Sequence, residues 1–310
     1  MDYIYIIGGL VGLILGGEYL VQGAVSIAQK FKISPMVIGL TLVGFGTSTP
    51  ELVTSVQAAL SNAPGIAVGN VVGSNIANIL LILGVAAMIT PIAVTVPGFR
   101  RDGSVLIVAT ALCVAAVLYG SIGRVFGVGF LAALIAYLFY TIYFDGDTEE
   151  PANDYASQTH LGIAAMMMCA GLILTIFAAK YLVAGAISVA SSLGVSEAVI
   201  GLTVVAVGTS MPELVTSVIA ARKGHVDVAL GNIIGSNIFN ILGILGVTVL
   251  VKPLVVPAEI ATLDIWVMAG ATLVMCWMAI SGWKISRREG FILTVGYVTY
   301  IGYLVVQTLR

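Results

Sequence analysis

Apolar runs long enough to cross a membrane occupy 3–28, 35–60, 66–89, 104–121 and 125–144, and a second set occupies 161–191, 197–221, 226–250, 263–281 and 289–309. About 20 apolar residues span a bilayer as a helix, so the pattern predicts ten crossings. Five precede and five follow the one strongly polar stretch, 145–159, which carries Asp145, Asp147, Glu149, Glu150 and Asp154. That stretch divides the chain into 1–144 and 160–310. The expected class is an all-α integral membrane protein with no room for a soluble domain.

Composition agrees. Hydrophobic residues make up 59% of the chain and charged residues 9%, against about 25% charged in soluble domains. Mean hydropathy is +1.10. Lipid is therefore the principal surrounding, and a net charge of −2 gives no reason to expect a nucleic-acid partner. No obligate protein partner is indicated. Cys113, Cys169 and Cys276 each sit singly in apolar segments, which reads as packing rather than disulfide or thiolate chemistry. The first apolar run lacks a basic leader and continues into Glu18, so it is expected to remain as the first membrane helix.

Basic residues are unevenly distributed. Ten crossings put Lys30, Lys32, Arg100, Arg101, Arg222, Lys223, Lys284, Arg287 and Arg288 on one side, and Arg124, Lys252 and Arg310 on the other. The positive-inside rule makes the first side cytoplasmic and places both termini outside, with the plasma membrane as the expected location.

The chain also repeats itself. VIGLTLVGFGTSTPELVTSVQAA from Val37 returns from Val199 as VIGLTVVAVGTSMPELVTSVIAA, and AVGNVVGSNIANILLILG from Ala67 returns from Ala229 as ALGNIIGSNIFNILGILG. The register is constant, since 213 − 51, 232 − 70 and 180 − 18 all equal 162. The motif regions are 37–84 and 199–246. With an odd number of spans in each half, the second half must enter the membrane from the opposite side, giving two inverted five-helix repeats.

Polar residues fall at bilayer depth in the repeats. Gly44 to Glu51 and Gly208 to Glu213 lie in the middle of spans 2 and 7, and Pro50 and Pro212 should break those helices just before them. Spans 3 and 8 are likewise expected to be broken. Breaks free carbonyls, and these join the hydroxyls of Thr47, Ser48, Thr209 and Ser210 as hard oxygen donors. Glu51 and Glu213 start the following half-helices, where the helix dipole favours a negative charge. Asn70, Ser74 and Asn78, spaced by four, share one helix face, as do Asn232, Ser236 and Asn240. The glycines beside them permit close helix contact. A carboxylate at bilayer depth costs about 2.5 to 3.5 kcal/mol, so two at equivalent positions point to a function. Glu18 and Lys180, also equivalent, read as a structural ion pair or polar contacts to neighbouring helices. His160 and His225, at span ends, read as solvated interfacial residues. With no GxxxxGK[ST] or HExxH pattern and no histidine beside the motif serines, neither an enzyme nor a cofactor is expected.

The GTSTPE, GTSMPE and paired GNxxGSNxxN segments resemble the α-repeats of the calcium/cation antiporter superfamily, specifically the prokaryotic sodium/calcium exchangers. The resemblance implies exchange of Ca2+ for Na+ by alternating access, with these ions as the bound species. It implies as ligands Glu51, Glu213, Thr47 and Thr209, surrounded by Ser48, Ser210, Ser74, Ser236, Asn78 and Asn240, with the carbonyls of Gly44 and Ala206. Many relatives carry aspartate at one of the positions held here by Asn78 and Asn240. Two neutral amides limit the site to two carboxylates, which balances one Ca2+ and makes H+ the alternative counter-ion. A passive cation channel is the more remote alternative.

Overall fold

The computed structural model describes residues 2–31, 33–144, 159–192 and 206–308. The acidic linker up to residue 158, Lys32, Arg310 and positions 199–205 of the second motif lie outside the described residues. Eight helices are long and apolar enough to cross a membrane, and a ninth span forms if the bent pair Pro35–Thr47 and Thr49–Leu60 counts as one. The expected seventh span is described only from Ala206 onward.

The motif helices lie at the centre. In Val226–Val251 and Pro64–Ile89, 83% and 72% of the apolar window is buried, against 22% in Leu161–Val189 and 17% in Arg287–Gln307. Local signals set the helix starts. Ser34 accepts from the Val37 amide at 3.3 Å, with Pro35 in the first helical position. Ser286 and Glu289 form a reciprocal cap, the Ser286 amide donating to Glu289 Oε2 at 2.7 Å and the Glu289 amide to Ser286 Oγ at 3.4 Å.

The 162-residue register survives in the folded elements. Pro64–Ile76, Ala77–Leu83 and Gly84–Ile89 recur as Val226–Ile238, Phe239–Leu245 and Gly246–Val251, each 226 − 64 = 162 positions later. The first helix, Asp2–Phe31, packs along its counterpart Leu161–Ser192, and the two run antiparallel. Gly9 abuts Ala178 and Leu182, Gly16 abuts Gly171 and Thr175, and Gly23 abuts Ala164 and Met168.

Two short antiparallel bridges join the halves. Ile92–Ala93 pairs with Lys284–Ile285, and Ser121–Ile122 pairs with Leu254–Val255. Exchanging the halves turns one bridge into the other, the offset growing from 162 to 163 at Gly120 and Trp283, and the Val94 amide bond to Trp283 O at 2.9 Å becomes that of Val256 to Gly120 O at 3.0 Å. The turns correspond as well: Trp283 and Gly120 both adopt positive φ, 51° and 83°, and so do Asn62 and Gly224, 58° and 83°. Left-handed backbone favours glycine. One half supplies it at each turn, while Asn tolerates it and Trp bears the strain.

Two expectations need correction. Spans 3 and 8 are not broken, because no proline interrupts GNVVGSNIAN or GNIIGSNIFN. Each is one continuous helix that widens into π turns at Ala77–Leu83 and Phe239–Leu245. Of the three cysteines expected in packing positions, Cys113 and Cys276 are buried but Cys169 is exposed. Glu18 forms its ion pair with Lys223, at the end of Met211–Arg222, and accepts from Gln22; its repeat counterpart Lys180 is exposed.

Candidate cation site

The site begins with the two prolines. Pro50 and Pro212 occupy the first turn of Thr49–Leu60 and Met211–Arg222, where a missing amide hydrogen costs nothing. The break therefore falls two residues earlier than the prolines. Ser48 takes φ −83°, ψ 8° and Ser210 takes φ −90°, ψ 11°, a bridge conformation recurrent among active-site residues. In the first half the helix turns by 43° there. The third residue of each new helix is Glu51 or Glu213, close to amides that have no intrahelical acceptor.

Both carboxylates are withdrawn from solvent, at 1% and 2% exposure. Ser48 of the first half donates to Glu213 Oε1 at 2.9 Å, and its counterpart Ser210 lies beside Glu51. The crossed bond is made in one direction only, since Ser210 Oγ has no hydrogen-bond partner among the described residues. The buried atoms Glu51 Oε1 and Oε2, Glu213 Oε2, Asn78 Oδ1 and Asn240 Oδ1 have no hydrogen-bond partner among the described residues. Buried acceptors left unpaired are costly, and five oxygens in this condition form a donor set suited to a hard cation. Among the described residues no three His, Cys, Asp or Glu side chains converge. The donors are consequently two carboxylates and neutral oxygens rather than a thiolate or imidazole cluster.

The predicted residues separate into groups. Thr47, Ser48, Ser74, Ser210, Ser236, Asn78 and Asn240 are all buried. The Thr47 hydroxyl donates to Val43 O at 3.0 Å, with Gly44 O and Asn232 Oδ1 both 3.3 Å away. Its hydrogen is used within the protein, which leaves a lone pair for a cation. Gly44 O accepts from Ser236 Oγ at 3.2 Å, so this carbonyl is already engaged across the two halves. Thr209 and Ala206 stand at the corresponding positions of the short helix Ala206–Thr209. Asn78 and Asn240 each sit in the second place of a π segment, where the wider turn re-aims a side chain relative to the preceding helix.

Four further residues hold the glutamates in place. Asn70 donates its amide to Ser55 Oγ at 2.8 Å and to Glu51 O at 3.0 Å. Asn232 repeats this, to Ser217 Oγ at 2.8 Å and Glu213 O at 3.4 Å. Each asparagine clamps the backbone of a glutamate to the neighbouring helix. The four-residue spacing had aligned Asn70 and Asn232 with the site, but the recurring LVTS after each glutamate was the unread signal for Ser55 and Ser217. Close packing brings the helices together: at Gly231 and Gly235 the backbone of Met36 and Leu40 occupies the space a side chain would need. Phe45 and Phe239, flanking Gly44 and Asn240 in sequence, stack across the halves at 4.3 Å.

A second symmetric pair lies away from the site. The buried Asp102 accepts two bonds from Arg101, at 2.7 and 3.0 Å, and one from Tyr137 at 3.0 Å. Its counterpart Asp264 accepts from Tyr300 at 2.9 Å, with Leu263 in place of the arginine.

The family model described as sodium/calcium exchanger protein matches residues 1–143 and 163–306, nearly all of both halves. The chain belongs to this family. Among curated relatives, it is 41% identical to the putative antiporter CaxA of Alkalimonas amylolytica, over 96% of each chain. It is 35% identical to the sodium/calcium exchanger MaX1 of Methanosarcina acetivorans, over 97% of each. A solved structure of the sodium-calcium exchanger NCX_Mj, soaked with Na+ and Ca2+, superimposes with a TM-score of 0.85 at 34% identity, covering 97% of both chains. This family consists of transporters rather than enzymes.

Proposed function

We propose that this protein exchanges Ca2+ for Na+ across the membrane, one set of oxygens serving both ions in turn. The observation that carries this reading is the pair Glu51 and Glu213, brought from two halves to one buried place with unpaired oxygens around them. The ligands are these glutamates with Thr47, Thr209, Ser48, Ser210, Ser74, Ser236, Asn78 and Asn240, and the carbonyls of Gly44 and Ala206. Two carboxylates carry −2, which one Ca2+ neutralises. Several Na+ compete for the same oxygens, so either ion excludes the other.

Ten spans arranged as inverted five-helix repeats, 1–144 and 160–310, joined by a cytoplasmic linker at 145–159, suit alternating access. The antiparallel packing of Asp2–Phe31 on Leu161–Ser192 supports inversion, and so do the exchangeable bridges between the halves. The proposed location is the plasma membrane with both termini outside.

The test is uptake of radiolabelled Ca2+ into proteoliposomes. An outward Na+ gradient should drive it, and a pH gradient without Na+ should not. Uptake driven by the pH gradient alone would replace Na+ with H+ as the counter-ion.

A further inference from the structure

One membrane-facing groove and the charges at its end have no part in ion binding. It lies between Val96–Leu118 and Arg124–Phe144 and encloses about 400 Å³. Ser104, Val108 and Leu112 form one wall, Ala133, Ala136 and Tyr140 the other, and buried Tyr137 forms part of the floor. Arg100 precedes Ser104 by four residues, so the stripe Arg100, Ser104, Val108, Leu112 runs along one helix face and ends in a guanidinium.

That end of the molecule is positively charged. The Ile92–Ala93 bridge to Lys284–Ile285 brings the second half's basic loop alongside the start of this helix. Arg100 lies over the Trp283 ring, 5.8 Å from its centroid, and Lys284, Arg287 and Arg288 are exposed. Among the described residues the nearby carboxylates are turned inward: Asp102 is bound by Arg101 and Tyr137, and Glu289 caps its own helix through Ser286.

The feature belongs to one half. At the repeat register, Arg100 becomes 100 + 162 = Thr262 and Ser104 becomes 104 + 162 = Trp266. The second half therefore has a bulky indole where the first leaves a gap, and a threonine in the place of Arg100.

We infer that this groove is a binding site for an anionic glycerophospholipid, one acyl chain lying between the two helices and the phosphate meeting Arg100 and Lys284. Charge complementarity selects the headgroup. The absent side-chain bulk at Ser104 admits the chain. The inference does not depend on which ions the protein exchanges.

Native mass spectrometry of the purified chain, equilibrated in detergent with equal amounts of phosphatidylglycerol and phosphatidylcholine, tests it. The wild type should retain phosphatidylglycerol in preference. Arg100→Gln should lower the ratio of the two bound lipids by about fivefold, the discrimination one basic side chain exerts on an anionic lipid, and Arg100→Lys should preserve it. Ser104→Trp, which copies the second half, should reduce retention of both lipids, and Arg124→Gln at the opposite end should change nothing. A wild-type lipid ratio in Arg100→Gln, or wild-type retention in Ser104→Trp, would overturn the proposal.

Discussion

Asn232→Ala removes a clamp rather than a ligand, and its effect can be worked out from the geometry. The amide makes a good bond to Ser217 Oγ at 2.8 Å and a long one to Glu213 O at 3.4 Å, and its oxygen lies 3.3 Å from the Thr47 hydroxyl. Asn232, Ser217 and Thr47 are all fully buried, so water cannot replace what is lost. Taking about 1 kcal/mol for the short bond and about 0.5 for the long one gives about 1.5 kcal/mol, the Thr47 hydroxyl having already given its hydrogen to Val43 O. If all of it falls on the ion-bound state, Ca2+ affinity drops about twelvefold. Asn70→Ala loses two bonds of ordinary length, about 2 kcal/mol if fully buried, but its half-buried side chain lets water recover part of this, so the loss should be about tenfold. Calorimetric titration of Ca2+ into each purified variant reads the effect. In a double-mutant cycle with Ser217→Ala, coupling of about 1 kcal/mol should appear for Asn232→Ala, since the two share the short bond. An Asn232→Ala affinity within twofold of wild type would refute the clamp.

Asp102→Ala should destabilise the protein by about 3 kcal/mol or more, because it strands a partly buried arginine, whereas Asp264→Ala should cost distinctly less; melting in detergent compares them, and Ca2+ affinity should hardly change in either. Gly224→Ala, at φ 83°, should lower stability by about 1 kcal/mol, and an unchanged melting temperature would contradict the left-handed turn. His225 lies in the turn before Val226–Ile238; burial, and then Lys223, push its pKa below the usual value. The unfolded chain then binds that proton more readily, so stability should fall as pH drops through about 6.5, the unfolded value. His225→Asn should flatten that part of a melting profile, and an unaltered slope would reject it.

Much of the architecture was legible in the repeat. A constant offset of 162 foretold equivalent helices, and proline at bilayer depth foretold where one helix must yield. The two serines were read as ligands, and their backbone turned out to be the break itself. Spans 3 and 8, expected to be broken, carry no proline, so their polar stretches stay helical and widen instead. The crossed contacts of Ser48 with Glu213 and Thr47 with Asn232 were not legible, since periodicity states which face a residue occupies and not which helix opposes it. The same limit hid Asp102. Arg101 beside it was read as a loop charge, and the partner Tyr137 stands 35 residues away on the next helix.

Direct Ca2+ binding tests the central claim most sharply. Titration of the purified wild type should give one Ca2+ per chain, displaced by Na+. Glu51→Gln and Glu213→Gln, each leaving a single carboxylate, should bind none over the same range while melting near the wild-type temperature. Saturable, Na+-sensitive Ca2+ binding by both variants would contradict a shared site built on these two glutamates.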